Sequence, residues 1–191
     1  MKTSVIRIKN MVCARCIASV RNIAENLDLC PGAVGLGYAE IAGNVTAGQL
    51  AEFARQLEKV GFELLKQRRD QIIEEIKITI IRHFYEGDKK PAALNFSDWL
   101  SSKINISYSH LSSVFSEREG TTIEQYIIAQ RIERAKELLS YGTMSMSEIS
   151  DELEYRSPQH FSGQFKNVTG MSPSQYRKSG GSERKGIDEV N

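Results

Sequence analysis

The chain has 191 residues, 40% of them hydrophobic and 26% charged, a balance that excludes disorder as the main state and allows one large domain or two small ones. Its 25 Lys and Arg against 24 Asp and Glu leave a formal charge of +1, divided as 11 basic and 9 acidic groups in residues 1–80 and 14 and 15 beyond them, so net charge points to neither nucleic acid nor a membrane. No apolar run approaches the roughly 18 residues of a bilayer span. The start of the chain has no signal-peptide pattern, and three cysteines are too few for a disulfide scaffold, so the chain reads as cytoplasmic with reduced thiols.

The first 67 residues alternate strand and helix patterns. Ser4–Lys9 alternates with the period of a strand. Cys16–Leu27 places Ile17, Val20, Ile23, Ala24 and Leu27 on one helical stripe. Ala33–Ile41, with Gly35 and Gly37, fits one or two short strands with a bulge or tight turn. Thr46–Val60 reads as an amphipathic helix with Thr46 as N-cap and Gly61 as its stop, and Phe62–Leu65 as a closing strand. The order β-α-β(β)-α-β is the ferredoxin-like arrangement, an α+β fold.

MVCARC (11–16) falls between the first strand and the first helix. Two thiols two residues apart at a helix start can face one point, where the helix dipole favours thiolate. Cys13 and Cys16 are thus candidate metal ligands. Two soft donors satisfy Cu(I), whereas Zn(II) would need two more. Cys30 is a distant third, and Met11 is expected to pack inward. A ligand-free structural or interaction role and thiol–disulfide chemistry are the alternatives. With this loop opening a β-α-β-β-α-β order, residues 3–66 resemble a heavy-metal-associated (HMA) domain, the fold of copper chaperones. Asn10 and Val12 replace the Gly and the polar residue usual in that pattern.

Residues 68–95 read as a linker helix and hinge. Ile72, Ile73, Ile76, Ile80, Ile81 and Phe84 follow helical spacing, and Gly87 and Pro91 end the run. Its apolar face is either a homodimer seam or a surface packed within its own chain.

Residues 96–178 contain an internal repeat. SYSHLSSVFSEREGTTIEQY (107–126) and SPQHFSGQFKNVTGMSPSQY (157–176) share seven of twenty positions at an offset of fifty, where chance gives roughly one or two. DWLSSKINI (98–106) and SEISDELEY (147–155) precede the two copies. Each pairs a large apolar residue with a small one, then gives a turn position, Asn105 or Glu154, and a capping Ser107 or Ser157. That is helix, tight turn, helix, an all-α domain with two helix-turn-helix units. Leu111 and Phe115, or Phe161 and Phe165, are core anchors at i and i+4. The opposite faces carry small polar groups able to enter a major groove. The candidate DNA-binding residues are Ser107, Ser109, His110, Ser112 and Ser113 in the first copy, and Ser157, Gln159, His160, Ser162 and Gly163 in the second. His110 and His160 are expected to be exposed helix positions rather than metal ligands. Ile123–Leu139 reads as a long helix joining the units.

RIERAKELL (131–139), ISDELEY (149–155) and FSGQFKNVTGMSPSQYR (161–177) resemble the C-terminal DNA-binding domain of the AraC/XylS family of transcription regulators. The resemblance implies two helix-turn-helix units on a linker helix, double-stranded promoter DNA and RNA polymerase as partners, and no catalysis. Most members have Gly-Phe where this chain has Glu154-Tyr155. Because Glu disfavours a left-handed turn, that turn is expected to be built differently. With no strong basic bias, phosphate contacts fall to helix N-termini and to Arg118, Arg131, Lys166 and Arg177. The competing reading is a thiol-based metal carrier or redox protein using Cys13 and Cys16, which leaves residues 96–178 unexplained. The tail, 179–191, is polar and Gly/Ser-rich, and is expected to fray.

Overall fold

Strand β1, Thr3–Lys9, turns Ile6 and Ile8 inward while Val5 stays exposed, as its alternation requires. The structure, a computed structural model, describes residues 3–180 and 186–187. Helix α1, Ala14–Asn26, adds Val20 and Ala24 to the same core. Strands β2, Cys30–Gly35, and β3, Tyr38–Ala42, form a hairpin. Helix α2, Ala47–Glu58, contributes Phe53 and Leu57, and the two-residue β4, Glu63–Leu64, closes the sheet. The strands lie in the order β2-β3-β1-β4, with every neighbouring pair antiparallel.

Local chemistry explains where these elements begin. Helix α1 starts at Ala14 rather than Cys16, because Cys13 is still extended (φ −156°, ψ 170°) and serves as N-cap. Helix α2 opens on a capping box: the Thr46 hydroxyl accepts from the Gln49 N–H at 3.2 Å, and the Gln49 side chain accepts from the Thr46 N–H at 3.1 Å. Strand β2 begins three residues earlier than its pattern suggests. The irregular register between Pro31 and Val34 breaks the alternation that would have marked it. Gly37 turns the hairpin with φ +75°, and a Cβ there would strike the Ile78 side chain.

Helix α3, Arg68–Ile81, runs directly into a π-helical turn, Arg82–Glu86, which stops at Gly87 (φ +75°). All six apolar positions of its stripe, from Ile72 to Phe84, are buried within the single chain. The face is therefore packed rather than left open as a seam. The π turn buries His83 and Phe84 side by side, which a 3.6-residue period does not signal.

Two compact units emerge: residues up to Thr79 with Phe96–Val114, and Ile80–Asn95 with the residues from Phe115 onward. In the first, α4, Phe96–Ile104, buries Trp99, Leu100 and Ile104, with Phe96 edge-on to Trp99 at 5.6 Å. Helix α5, Tyr108–Glu119, follows after a short turn, with its residues to Val114 in the first unit and those from Phe115 in the second. In the second lie α6, Ile123–Tyr141, α7, Met146–Glu152, α8, Pro158–Thr169, and α9, Pro173–Lys178. The fifty-residue repeat recurs as geometry. Phe115 meets Tyr126 at 5.6 Å and Phe165 meets Tyr176 at 5.5 Å, both edge-on. The Thr122–Gln125 capping box recurs as Ser172–Gln175. Among the described residues no helix is long and apolar enough to cross a membrane. Of the tail expected to fray, 181–185 and 188–191 lie outside the described residues; the Ile187 carbonyl accepts from the buried Gln130 amide at 3.3 Å.

Phe165 is fully buried between Phe161 (5.8 Å) and Tyr176. Phe165→Ala is expected to cost about 3–5 kcal/mol, read as a large fall in melting temperature. An unchanged melting temperature would contradict the placement of this ring as the anchor of α8.

Candidate nucleic-acid interface

Each helix-turn-helix unit depends on one residue with a left-handed backbone. In the first it is Asn105, φ +57°, between Ile104 and Ile106. In the second it is Glu154, φ +56°, between Leu153 and Tyr155. The expectation that the Glu154 turn is built differently is therefore wrong: the two turns share one conformation. Asn tolerates it through its short polar side chain, whereas Glu bears a cost of roughly 1–2 kcal/mol.

The surroundings of Glu154 offset that cost. His83 Nε2 lies 3.5 Å from Glu154 Oε1, and Lys90 Nζ lies 3.3 Å from Oε2. The Lys90 backbone N–H donates to His83 Nδ1 at 3.1 Å, which places the imidazole proton on Nε2, facing the carboxylate. Burial holds the His83 pKa below its ordinary value, against the attraction of Glu154. Lys89 Nζ donates at 2.9 Å to both the carbonyl and the carboxylate of Glu152, the last residue of α7. Arg131 lies 5.6 Å from the Phe84 ring centre and 5.0 Å from that of Tyr155. Burial raises the Tyr155 hydroxyl to about 12. Arg131 is thus a packed cation under the turn, not the phosphate contact expected of it. Arg177 Nη2 donates to the Met144 carbonyl at 2.7 Å, and Arg118 and Lys166 lie at exposed positions.

On α5, Leu111 and Phe115 are buried while Ser109, His110 and Ser113 are exposed and Ser112 is half-buried. Ser107 is exposed, its hydroxyl 3.4 Å from that of Ser109. On α8, Phe161 and Phe165 are buried while Gln159, His160 and Gly163 are exposed and Ser162 is half-buried. The Ser157 hydroxyl caps α8, accepting from the His160 N–H at 3.1 Å, and the His160 ring meets Tyr155 edge-on at 5.4 Å. A Cβ on Gly163 would meet nothing within 4 Å, so the α8 backbone there is open to close approach. Two exposed residues escaped the sequence reading, Arg156 and Asn167. Asn167 follows Gln159 by eight residues and Gly163 by four, so extending the helical period by two turns finds it. Its counterpart fifty residues earlier is Glu117. The face Gln159-Gly163-Asn167 therefore carries two amides suited to bidentate pairing with adenine, while Ser109-Ser113-Glu117 carries hydroxyls and a carboxylate.

The cysteine loop is held separately. Asn10, φ +70°, donates its backbone N–H to Glu74 Oε1 at 2.9 Å and its side-chain amide to the Gly61 carbonyl at 3.0 Å. Asn is among the few residues that tolerate this left-handed conformation. Met11 is fully buried, and Cys13 and Cys16 lie with their sulfurs 3.4 Å apart. Burial raises the Cys13 thiol, but hydrogen bonds from Cys16 and Arg15 outweigh it and leave its pKa lowered. Burial raises Cys16, as do the hydrogen bond it gives to Cys13 and the charge there. The two sulfurs are thus shifted in opposite directions, Cys13 toward the thiolate and Cys16 toward the thiol. Among the described residues no group of three or more His, Cys, Asp or Glu forms a metal cluster, and Cys30 is exposed in β2. The donor set suits a soft ion of low coordination number rather than four-coordinate zinc.

Residues 100–179 match the family described as "Helix-turn-helix domain". The Msm operon regulatory protein of Streptococcus mutans is 35% identical over 79 residues, 41% of this chain and 28% of that protein. The xylose operon regulatory protein of Escherichia coli is 38% identical over 80 residues, 42% of this chain and 20% of that protein. The chain thus spans less than a third of the length of either relative. Among solved structures, the C-terminal domain of AraT, a response regulator from Geobacillus stearothermophilus, superposes with a TM-score of 0.50 at 25% identity, covering 63% of this chain and 92% of that one.

The opposite shifts of the two thiols have a direct readout. In the wild-type protein, alkylation followed residue by residue should give Cys13 a midpoint below the ordinary cysteine value of 9.0 and Cys16 a midpoint above it. Equal midpoints for the two sulfurs would contradict the asymmetric pair.

Proposed function

We propose that this chain, whose residues 100–179 match a helix-turn-helix domain family, is a transcription regulator of the AraC type that reads double-stranded promoter DNA and acts with RNA polymerase. The recurrence of one helix-turn-helix unit at a spacing of fifty residues carries this reading. It has the same left-handed turn, the same Phe–Tyr contact and an exposed polar face on the helix that follows. In this proposal α5 and α8 enter successive major grooves, about 34 Å apart. Gln159 and Asn167 contact base edges, and Gly163 lets the backbone come close. Arg118, Arg156, Lys166 and the helix N-termini supply phosphate contacts. No step of this function is catalytic.

The N-terminal sheet supports a second, finer reading. Its strand order and the Cys13/Cys16 loop suit an HMA-like, ferredoxin-like domain that takes up Cu(I) and makes DNA binding respond to it. Cys13, already inclined to thiolate, would bind first and Cys16 would complete the pair on losing its proton. Arg15 between them would offset the charge of a bis-thiolate complex.

Gln159→Ala is expected to cost about 1–3 kcal/mol on a duplex selected by the wild-type protein, and to relax preference at one base pair. Equal wild-type affinity for all duplexes at moderate salt would contradict sequence reading. For the copper reading, Cu(I) competition against a chelator should give stoichiometric binding to wild type that is lost in the Cys13→Ser/Cys16→Ser protein, with DNA affinity changing only in wild type. Equal weak binding by both would leave the domain as a metal-free module.

A further inference from the structure

The segment that follows α3 holds the second turn at three points. Lys89 grips the end of α7 at Glu152, while Lys90 and His83 face the two oxygens of Glu154. We propose that Glu154 is a positioning residue for the second reading helix, α8, and that the Arg82–Lys90 segment is a clamp that sets the pose of α8 on DNA. The proposal rests on the DNA-reading function above.

Three observations carry it. First, Glu is a poor residue for the backbone conformation it holds, whereas Asn105 meets the same demand in the first turn from its own chemistry. What Glu154 supplies that Gly or Asn cannot is a longer side chain ending in a carboxylate, with each oxygen facing a group of the 82–90 segment. Second, that segment is internally tied. The Lys90 N–H bonds to His83 Nδ1, which ties together the two residues that meet Glu154. His83 sits fully buried in a π-helical turn, an irregularity that regular helix packing does not require. Third, the turn so gripped is only a few residues long. Tyr155 and Ser157 lead straight from Glu154 into α8, and Tyr155 also contacts both Phe161 (5.3 Å) and His160. A shift at Glu154 therefore reaches the start of α8, where Gln159 lies.

The test uses the full chain and a duplex selected from a randomised library by the wild-type protein, with a scrambled duplex as control. Glu154→Gly installs the residue that the backbone prefers, so its melting temperature should not fall. Its preference for the selected duplex should nevertheless drop about tenfold, with protection lost at the α8 half-site and kept at the α5 half-site. Lys90→Met should lower the preference in the same direction. The Lys90→Met/Glu154→Gly double variant should be no worse than Glu154→Gly alone, because both remove one interaction. Unchanged preference in Glu154→Gly, equal loss at both half-sites, or additive losses in the double variant would overturn the clamp. A wild-type protein that selects no duplex would instead refute the DNA-reading function.

Discussion

A single left-handed residue between two helices is the constraint on which each reading unit depends. It turns the chain within a few residues, so that the residue before it, Ile104 or Leu153, is buried, while the residue after it is half-buried in the first unit, Ile106, and buried in the second, Tyr155. Asn105 meets the demand locally. Glu154 meets it only with outside help, through a buried imidazole and an ammonium group brought from the segment after α3. Local strain at this position is balanced by tertiary contact, and strain of that kind is typically stored where a structure has a task to perform. A Gly would give the same fold, but it would give no connection between the turn and the rest of the chain.

The electrostatics fit a reader that relies on shape and a few directed groups. With basic and acidic residues nearly equal, nonspecific attraction to phosphate is weak. Several cations are committed elsewhere: Arg131 between two rings, Arg177 on the Met144 carbonyl, Lys89 and Lys90 on the second turn. The uncovered faces are therefore mostly neutral, and α8 is the richer of the two in groups that distinguish base pairs. Its Gly163 weakens the helix relative to Ala yet leaves the backbone bare on the exposed side. That combination is reasonable where a close partner is expected, and hard to justify on stability alone.

Much of this was legible in the sequence, and the failures have physical causes. The repeat was found by matching Phe115 to Phe165 and Tyr126 to Tyr176, because aromatic anchors in equivalent cores leave equal spacing. The Thr46 cap and the stripe from Ile72 to Phe84 were readable because capping and periodicity are local. Backbone propensity misjudges the Glu154 turn because it ignores partners distant in sequence, here His83 and Lys90. Arg131 was assigned to phosphate because sequence gives charge without burial. The period of the stripe marks Phe84 but not His83, which the π-helical turn buries beside it. Asn167 lies beyond the two turns of the reading helix that the sequence pattern marks, and Arg156 precedes the Ser157 cap and so falls outside the helical period altogether.

The most direct test of the account is base-resolution footprinting of the full chain on its selected duplex. Two protected tracts about one helical turn apart in the major groove, with the sharper base preference in the tract assigned to α8, are the predicted result. A single tract, or protection that follows the phosphate backbone without base preference, would contradict the account of two helix-turn-helix units reading DNA together.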